Sequence, residues 1–338
     1  MSDNARTTKT NQADQADQAD QADQADVEFY LSTPGPQESA IASGKKTHIA
    51  SGLRPVPAFL HPLLPLLTDT HNHMCGFTSE EQECFSQRME NGCFLAKEYF
   101  LMSTSPIDWP TFQKLQSRNQ QRFRFSFGVH PMNAETVDSA FPGWLDAMRH
   151  CLESSPQSIV GEIGLDKTTR HKKFYLSHQI AVFLAQFRLA AEFRRPVSLH
   201  SVKTDAGLID ILSTEEILPP TLSLHSFCGS PETLLRIIHI AESKSCRIFV
   251  GLNATTNLTK KNLFQYLETV GMERMIVETD WSCADYSYDG SNDQDTGKLL
   301  LHAIDMMAKC LGLDPTIVAE STAKNVQSFL QPVDRGVY

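Results

Sequence analysis

A chain of 338 residues with a formal charge of -10 can bury a sizeable core, and it is too acidic to hold nucleic acid by bulk electrostatics. Its eight cysteines form no C-x-x-C pair and follow no secretory leader, so they read as reduced thiols of a cytoplasmic or nuclear protein. The most apolar early stretch, Phe59 to Leu67, contains Pro62 and Pro65 and is too short to cross a bilayer, so no membrane attachment is expected.

The negative field does not exclude a phosphate substrate, because bound divalent cations reverse the sign locally. From Gln12 to Asp26 the triplet Gln-Ala-Asp repeats five times after a polar leader. A period of three fits neither helix nor strand and offers almost nothing apolar to bury. Glu28 to Pro55 stays rich in Ser, Gly and Pro. Residues 1–55 are therefore expected to form a disordered tail, and residues 56–338 the folded domain.

The first predicted strand, Leu66 to His73, begins apolar and ends on His71 and His73. Side chains alternate along a strand, so the two imidazoles share one face and can seat a metal. A polar stretch from Ser79 to Asn91 is a short candidate helix, and Phe94 to Met102 is a second strand. Ile107 to Gln121 follows as a helix, with Trp109, Phe112 and Leu115 at helical spacing. Arg122 to Val129 is a third strand that delivers His130. Phe141 to Leu152 is helical, and a fourth strand, Ser158 to Gly161, leads into Glu162.

Tyr175 to Arg194 has the clearest helical period in the chain. Val197 to His200 and Leu222 to His225 are strands that end on histidine, separated by a helix from Leu208 to Glu216. Helices at Pro231 to Ser243 and Leu258 to Val270 flank a seventh strand, Arg247 to Leu252. The eighth strand, Met275 to Asp280, ends on two carboxylates, Glu278 and Asp280. Helices from Thr296 to Leu311 and from Pro315 to Phe329 close the chain.

Eight strands alternating with helices describe a (β/α)8 TIM barrel, and the chemistry-bearing residues fall at the C-terminal strand ends, the catalytic face of that fold. A doubly wound open sheet would gather its ligands at one crevice instead. Four histidines, Glu162 and Asp280 supply nitrogen and oxygen ligands suited to Zn, Mn or Mg. Glu162, with two oxygens, is the candidate bridge between two ions.

His71-Asn72-His73, Gly128-Val129-His130-Pro131, the run Gly161-Glu162-Ile163-Gly164-Leu165-Asp166, the strand ending at His200, His225-Ser226-Phe227 with Gly229-Ser230, and Glu278-Thr279-Asp280 occur in this order. Together they resemble the motifs of the TatD family, metal-dependent hydrolases of the amidohydrolase superfamily, many of them deoxyribonucleases. The resemblance runs from about Thr68 to Phe329. Its loops are most similar to a fungal branch, some members of which bind a subunit of a cell-cycle ubiquitin ligase.

The resemblance implies a 3'-to-5' deoxyribonuclease with two divalent ions, Mg, Mn or Zn. The first would be held by His71, His73, Glu162 and Asp280, and the second by Glu162, His200 and His225. Such a pair, about 3.5 to 4 Å apart, clamps the attacking and leaving oxygens of a phosphodiester. Asp280 would act as general base, and His130 would contact the substrate. Glu278 is expected to orient a ligand without being one. Cys75, Cys228 and Cys283 read as small buried side chains. Arg170, Lys172 and Lys173 are either a phosphate-contacting patch or a solvated helix start.

Departures from the family pattern lie in the loops. Val202 stands where a basic residue is usual, with Lys203 displaced by one. Cys75 replaces a common acidic residue, and Trp281-Ser282-Cys283 replaces a small residue and proline. Two alternatives therefore stay open. One is an amide or ester hydrolase of a small molecule, and the other a non-catalytic protein partner.

Overall fold

The structure, a computed structural model, describes residues 56–73, 85, 95–117, 122–168, 175–281 and 293–331. The expected tail at 1–55, the candidate helix from Ser79 to Asn91 apart from Phe85, and Arg170, Lys172 and Lys173 lie outside the described residues.

Eight strands, β1 (Thr68–Asn72), β2 (Glu98–Met102), β3 (Phe123–Phe127), β4 (Ile159–Asp166), β5 (Val197–Val202), β6 (Thr221–Leu224), β7 (Arg247–Leu252) and β8 (Met275–Val277), pair in sequence order. All seven pairings are parallel. The helices between and after them are α1 (Trp109–Gln116), α2 (Val137–Ala140), α3 (Trp144–Ser154), α4 (Tyr175–Glu192), α5 (Asp205–Thr214), α6 (Pro231–Ser243), α7 (Leu263–Val270), α8 (Asp293–Leu311) and α9 (Pro315–Leu330). This is a nearly closed (β/α)8 barrel. Between β8 and β1 the ring is bridged by hydrogen bonds from Asp280 N to the His71 carbonyl (2.9 Å), from His73 N to the Trp281 carbonyl (2.6 Å) and from Thr70 Oγ1 to the Val277 carbonyl (2.9 Å).

Outward-facing aliphatic and aromatic side chains of the strands pack under the helices as one large core, with Trp109 and Phe112 of α1 against Phe127 and Phe125 of β3. A second cluster fills the lower barrel interior. Phe100, Met102, Ile159, Phe249 and Ile276 meet Val326 and Phe329 of α9, which plugs the N-terminal mouth. Thr221 Oγ1, at the start of β6, ties that plug down by donating to the Phe329 carbonyl at 2.7 Å. Above this apolar floor the interior turns polar with Ser126, Ser198 and Ser223, the last two in register on β5 and β6. The site stands on this polar layer.

Several boundaries differ from the sequence reading. Leu66 closes a 3-10 helix over Ala58–Leu66, where Pro62 and Pro65 leave too few donors for a strand, so β1 starts at Thr68. β4 continues past Gly161 to Asp166, because pairing with β5 brings Gly164 so close to the His200 carbonyl that a Cβ would collide with it. β8 stops at Val277, and Glu278 to Asp280 leave the ladder. The helix expected from Leu258 is a 3-10 turn, Asn257–Thr259, followed by α7.

Candidate metal centre and active site

Glu162, almost fully buried at the middle of β4, is the point on which the histidines converge. Its Oε2 lies 3.1 Å from His73 Nε2 and 3.5 Å from His71 Nε2. Its Oε1 lies 2.6 Å from His200 Nδ1, 3.6 Å from His225 Nε2 and 3.7 Å from His130 Nε2. The structure thus gathers His71, His73, His130, Glu162, His200 and His225 at one mouth. Asp280 joins them, with Oδ1 3.8 Å from His73 Nε2 and Oδ2 3.9 Å from His225 Nε2.

Local backbone explains these placements. His71 and His73 leave the end of β1 with their Nε2 atoms 3.3 Å apart. Asp280 takes a left-handed φ of 51°, and Ser226, just past His225, one of 43°. Both turn the chain sharply at a strand end, so that the carboxylate of one and the backbone N–H of the other face inward. Such conformations persist in non-glycine residues only where their surroundings over-determine them.

Three of the imidazoles, His71, His225 and His200, are oriented from behind. His71 Nδ1 lies 2.8 Å from Ser198 Oγ. His225 Nδ1 lies 2.9 Å from Glu278 Oε1, which also accepts hydrogen bonds from Ser226 N at 2.7 Å and Ser226 Oγ at 2.8 Å. His200 Nε2 lies 3.3 Å from Asp166 Oδ2, and Asp166 Oδ1 accepts from Thr168 N at 2.6 Å. Thr279 N and Oγ1 donate to Asp69 at 2.9 and 2.6 Å, which locks the turn before Asp280 against the start of β1.

The electrostatics follow from burial and mutual proximity. Burial alone would raise Glu162, but the surrounding histidines, His130 and His71 foremost, hold its carboxyl well below the usual range. Asp280 is lowered in the same way, burial being outweighed by His225, His71 and His73. Burial opposes a charge on His225, yet Glu278 and Asp280 overcome it and push it up to about 10. His200, between Glu162 and Asp166, is pushed up to about 9 against burial. Burial drives His130 down to about 3. Its Nδ1 accepts a hydrogen bond from Met132 N at 3.1 Å, so the proton of the neutral ring sits on Nε2, the nitrogen that faces Glu162.

The donor set fits a divalent cation. Two imidazole nitrogens aim at one carboxylate edge, while His73 Nδ1 and Glu278 Oε2, both buried, have no hydrogen-bond partner. Three groups of ligand atoms lie within 4.8 Å of one another: His71, His73 and Asp280; His71, His225 and Glu278; His130, Glu162 and His200. The third group differs from the set implied for a second ion. It holds His130 where His225 was expected, and His225 Nε2 approaches Glu162 only to 3.6 Å.

A family model described as TatD related DNase matches residues 68–331. The chain belongs to this family of TatD-related DNases. An uncharacterized deoxyribonuclease of Saccharomyces cerevisiae is 30% identical over 243 residues, covering 57% of this chain and 73% of the yeast protein. The Cut9-interacting protein scn1 of Schizosaccharomyces pombe is 31% identical over 181 residues, covering 40% of this chain. That alignment spans only 53%, about half, of the Schizosaccharomyces pombe protein. Among solved structures, the TatD homologue YjjV of Escherichia coli superposes with a TM-score of 0.60 at 20% identity, covering 79% of this chain and 98% of that one.

In this TatD-family chain several groups at the site are not among the residues the sequence reading assigned. Ser198 stands two residues before His200, so strand alternation alone turns it into the barrel beside His71. Asp166 closes the quoted Gly-Glu-Ile-Gly-Leu-Asp run without having been given a role. Asp69, two residues before His71 on β1, accepts from Thr279 Oγ1 and was given no role. Cys228 corrects an expectation: it is exposed, and its Sγ lies 3.3 Å from the Ser226 carbonyl. Cys75 and Cys283 fall outside the described residues.

Proposed function

We propose that this chain is a metal-dependent 3'-to-5' deoxyribonuclease, with Glu162 at the centre of its metal site and Asp280 as general base. The observation that carries this reading is the convergence of His71, His73, His200 and His225 on Glu162, with Asp280 beside His73 and His225, within a family of DNases. His71, His73, Glu162 and Asp280 would hold one ion, and Glu162, His200 and His225 a second. Bound divalent cations supply Lewis acidity toward the phosphodiester and toward water.

The chain's own groups account for the remaining chemistry. Asp280 is ionised and a quarter of its side chain reaches solvent, so it can take the proton of a water molecule attacking the terminal phosphate. As that P–O bond forms, the P–O3' bond to the penultimate nucleotide breaks, and the departing O3' takes up a proton from solvent. His130 offers its Nε2–H to a non-bridging phosphate oxygen. It is suited to that role because its low pKa keeps the ring neutral while Met132 keeps the proton on the facing nitrogen. A protein-partner role alongside catalysis has support in the name of the Schizosaccharomyces pombe relative.

The test combines metal analysis with release of 3'-terminal nucleotides from single-stranded DNA by wild type, Asp280→Asn and His200→Ala. Asp280→Asn should fold and, at saturating metal, lose roughly 100-fold or more in rate, the scale of a general base. His200→Ala should lose metal as well. Equal nucleotide release by all three proteins would overturn the reading.

A further inference from the structure

His200 is gripped on both flanks, and both grips lead to one helix. On one side Asp166 Oδ2 lies 3.3 Å from His200 Nε2, and on the other the His130 ring meets the His200 ring edge-on with centroids 4.6 Å apart. Helix α4 reaches the backbone at each flank with a buried glutamine. Gln179 Oε1 accepts from Asp166 N at 2.9 Å, and its Nε2 donates to the Asp166 carbonyl at 3.0 Å. Seven residues on, Gln186 Oε1 accepts from Val129 N at 2.6 Å, and its Nε2 donates to the Val129 carbonyl at 3.2 Å.

Seven residues are close to two helical turns, so both amides leave the same face of α4. A side-chain amide that donates to and accepts from one residue's main chain acts like an added strand partner, because it fixes that residue in position and rotation. Gln179 and Gln186 are 3% and 0% exposed, so no water can replace either amide without rearrangement. β4 has left its pairing with β3 at this height, since the β3–β4 register covers only Ser126 and Phe127 against Ile159 and Val160. The two glutamines bridge the site-bearing ends of these strands where the ladder no longer does.

We infer that Gln179 and Gln186 are positioning residues that set, through backbone clamps, the two groups flanking His200: Gln179 the carboxylate of Asp166, and Gln186 the imidazole of His130. The inference rests on the metal-dependent nuclease reading for what those groups do, and it assigns the clamps different effects. Asp166 orients His200, so loss of the Gln179 clamp weakens metal binding. His130 faces substrate, so loss of the Gln186 clamp weakens substrate binding with metal retained.

The experiment compares full-length wild type, Gln179→Met, Gln186→Met and Phe183→Leu. The last alters a buried residue of the same helix whose side chain can make no hydrogen bond to either strand end. Zn2+ affinity is measured by chelator competition, and kcat and KM on a single-stranded DNA oligonucleotide at saturating metal. Gln179→Met should bind Zn2+ roughly tenfold more weakly, as for other groups that orient a metal ligand. Gln186→Met should keep its Zn2+ affinity within about threefold and raise KM roughly three- to tenfold, the cost of one misplaced hydrogen bond. Phe183→Leu should lower Tm and change neither constant.

If either methionine variant fails to fold, Gln179→Glu and Gln186→Glu, which keep the acceptor and lose the donor, should show the same split at smaller amplitude. Variants that differ from wild type no more than Phe183→Leu does, or that shift both constants together, would overturn the inference. A wild type that binds Zn2+ but does not cleave DNA would remove the nuclease reading, and the Zn2+ comparison would still decide the Gln179 clamp. A wild type that binds no Zn2+ would sink both.

Discussion

Gly251 and Glu278 contend for one volume: a Cβ added to Gly251 on β7 would fall on the Glu278 carboxylate. The bare backbone at 251 is what lets Glu278 lie flat against the sheet and turn Oε1 to His225 Nδ1 at 2.9 Å. Gly251→Ala should therefore push the carboxylate off the imidazole while leaving the fold in place. Metal affinity is expected to fall roughly 10- to 100-fold, measured by chelator competition with circular dichroism as the control for folding.

Ser198 holds His71 more gently. Its hydroxyl lies 2.8 Å from His71 Nδ1 in a fully buried setting. Ser198→Ala leaves that nitrogen without a partner, which costs about 1 to 2 kcal/mol. Roughly tenfold weaker metal binding is expected, with Ser198→Thr recovering part of it, and titration of the two variants checks this.

Protons and cations compete for the same nitrogens, and the sign can be worked out. The folded-state values of His200, about 9, and His225, about 10, lie above the ordinary 6.5. In the metal-free chain their ion pairs stabilise fully below pH 6.5 and fade as pH rises through 9 to 10. A cation needs the unprotonated nitrogens, so the metal-bound chain behaves in the opposite sense. Affinity should rise from pH 6 to pH 9 by about one decade per unit for each proton released. Calorimetry in buffers of different ionisation enthalpy should show proton release on metal uptake.

Stability at the opposite face is separable from the site. Asn325 on α9 donates through Nδ2 to the carbonyls of Met272 and Met275, at 2.7 and 2.8 Å, and so fastens the closing helix under β8. Asn325→Ala removes both hydrogen bonds, at a cost of about 2 kcal/mol. Thermal unfolding should shift down by roughly 5 °C, while metal affinity stays at the wild-type value.

How far the sequence carried can be seen residue by residue. Strands that end on histidine were legible because an apolar run followed by a polar ligand has few other readings at a barrel mouth. Pro231–Ser243 was legible to the residue, since Ser230 caps it by accepting from Thr233 N and Pro231 occupies its first position. The end of β4 was not, because Gly161 and Gly164 look like strand breakers until β5 is seen to need their missing side chains. Asp166, Gln179 and Gln186 carry no signal of their own. Their role exists only toward backbone and ring atoms that folding brings near, and periodicity gave the two glutamines only a place on a helix.

The central claim is that Glu162 is the shared anchor of a divalent-metal centre. The measurement that addresses it most directly is Zn2+ bound per chain, by equilibrium dialysis at pH 8, for wild type and for Glu162→Gln. Wild type should bind stoichiometrically, and Glu162→Gln, with one acceptor oxygen and no charge, at least about 100-fold more weakly. Equal uptake by the two proteins would contradict the account.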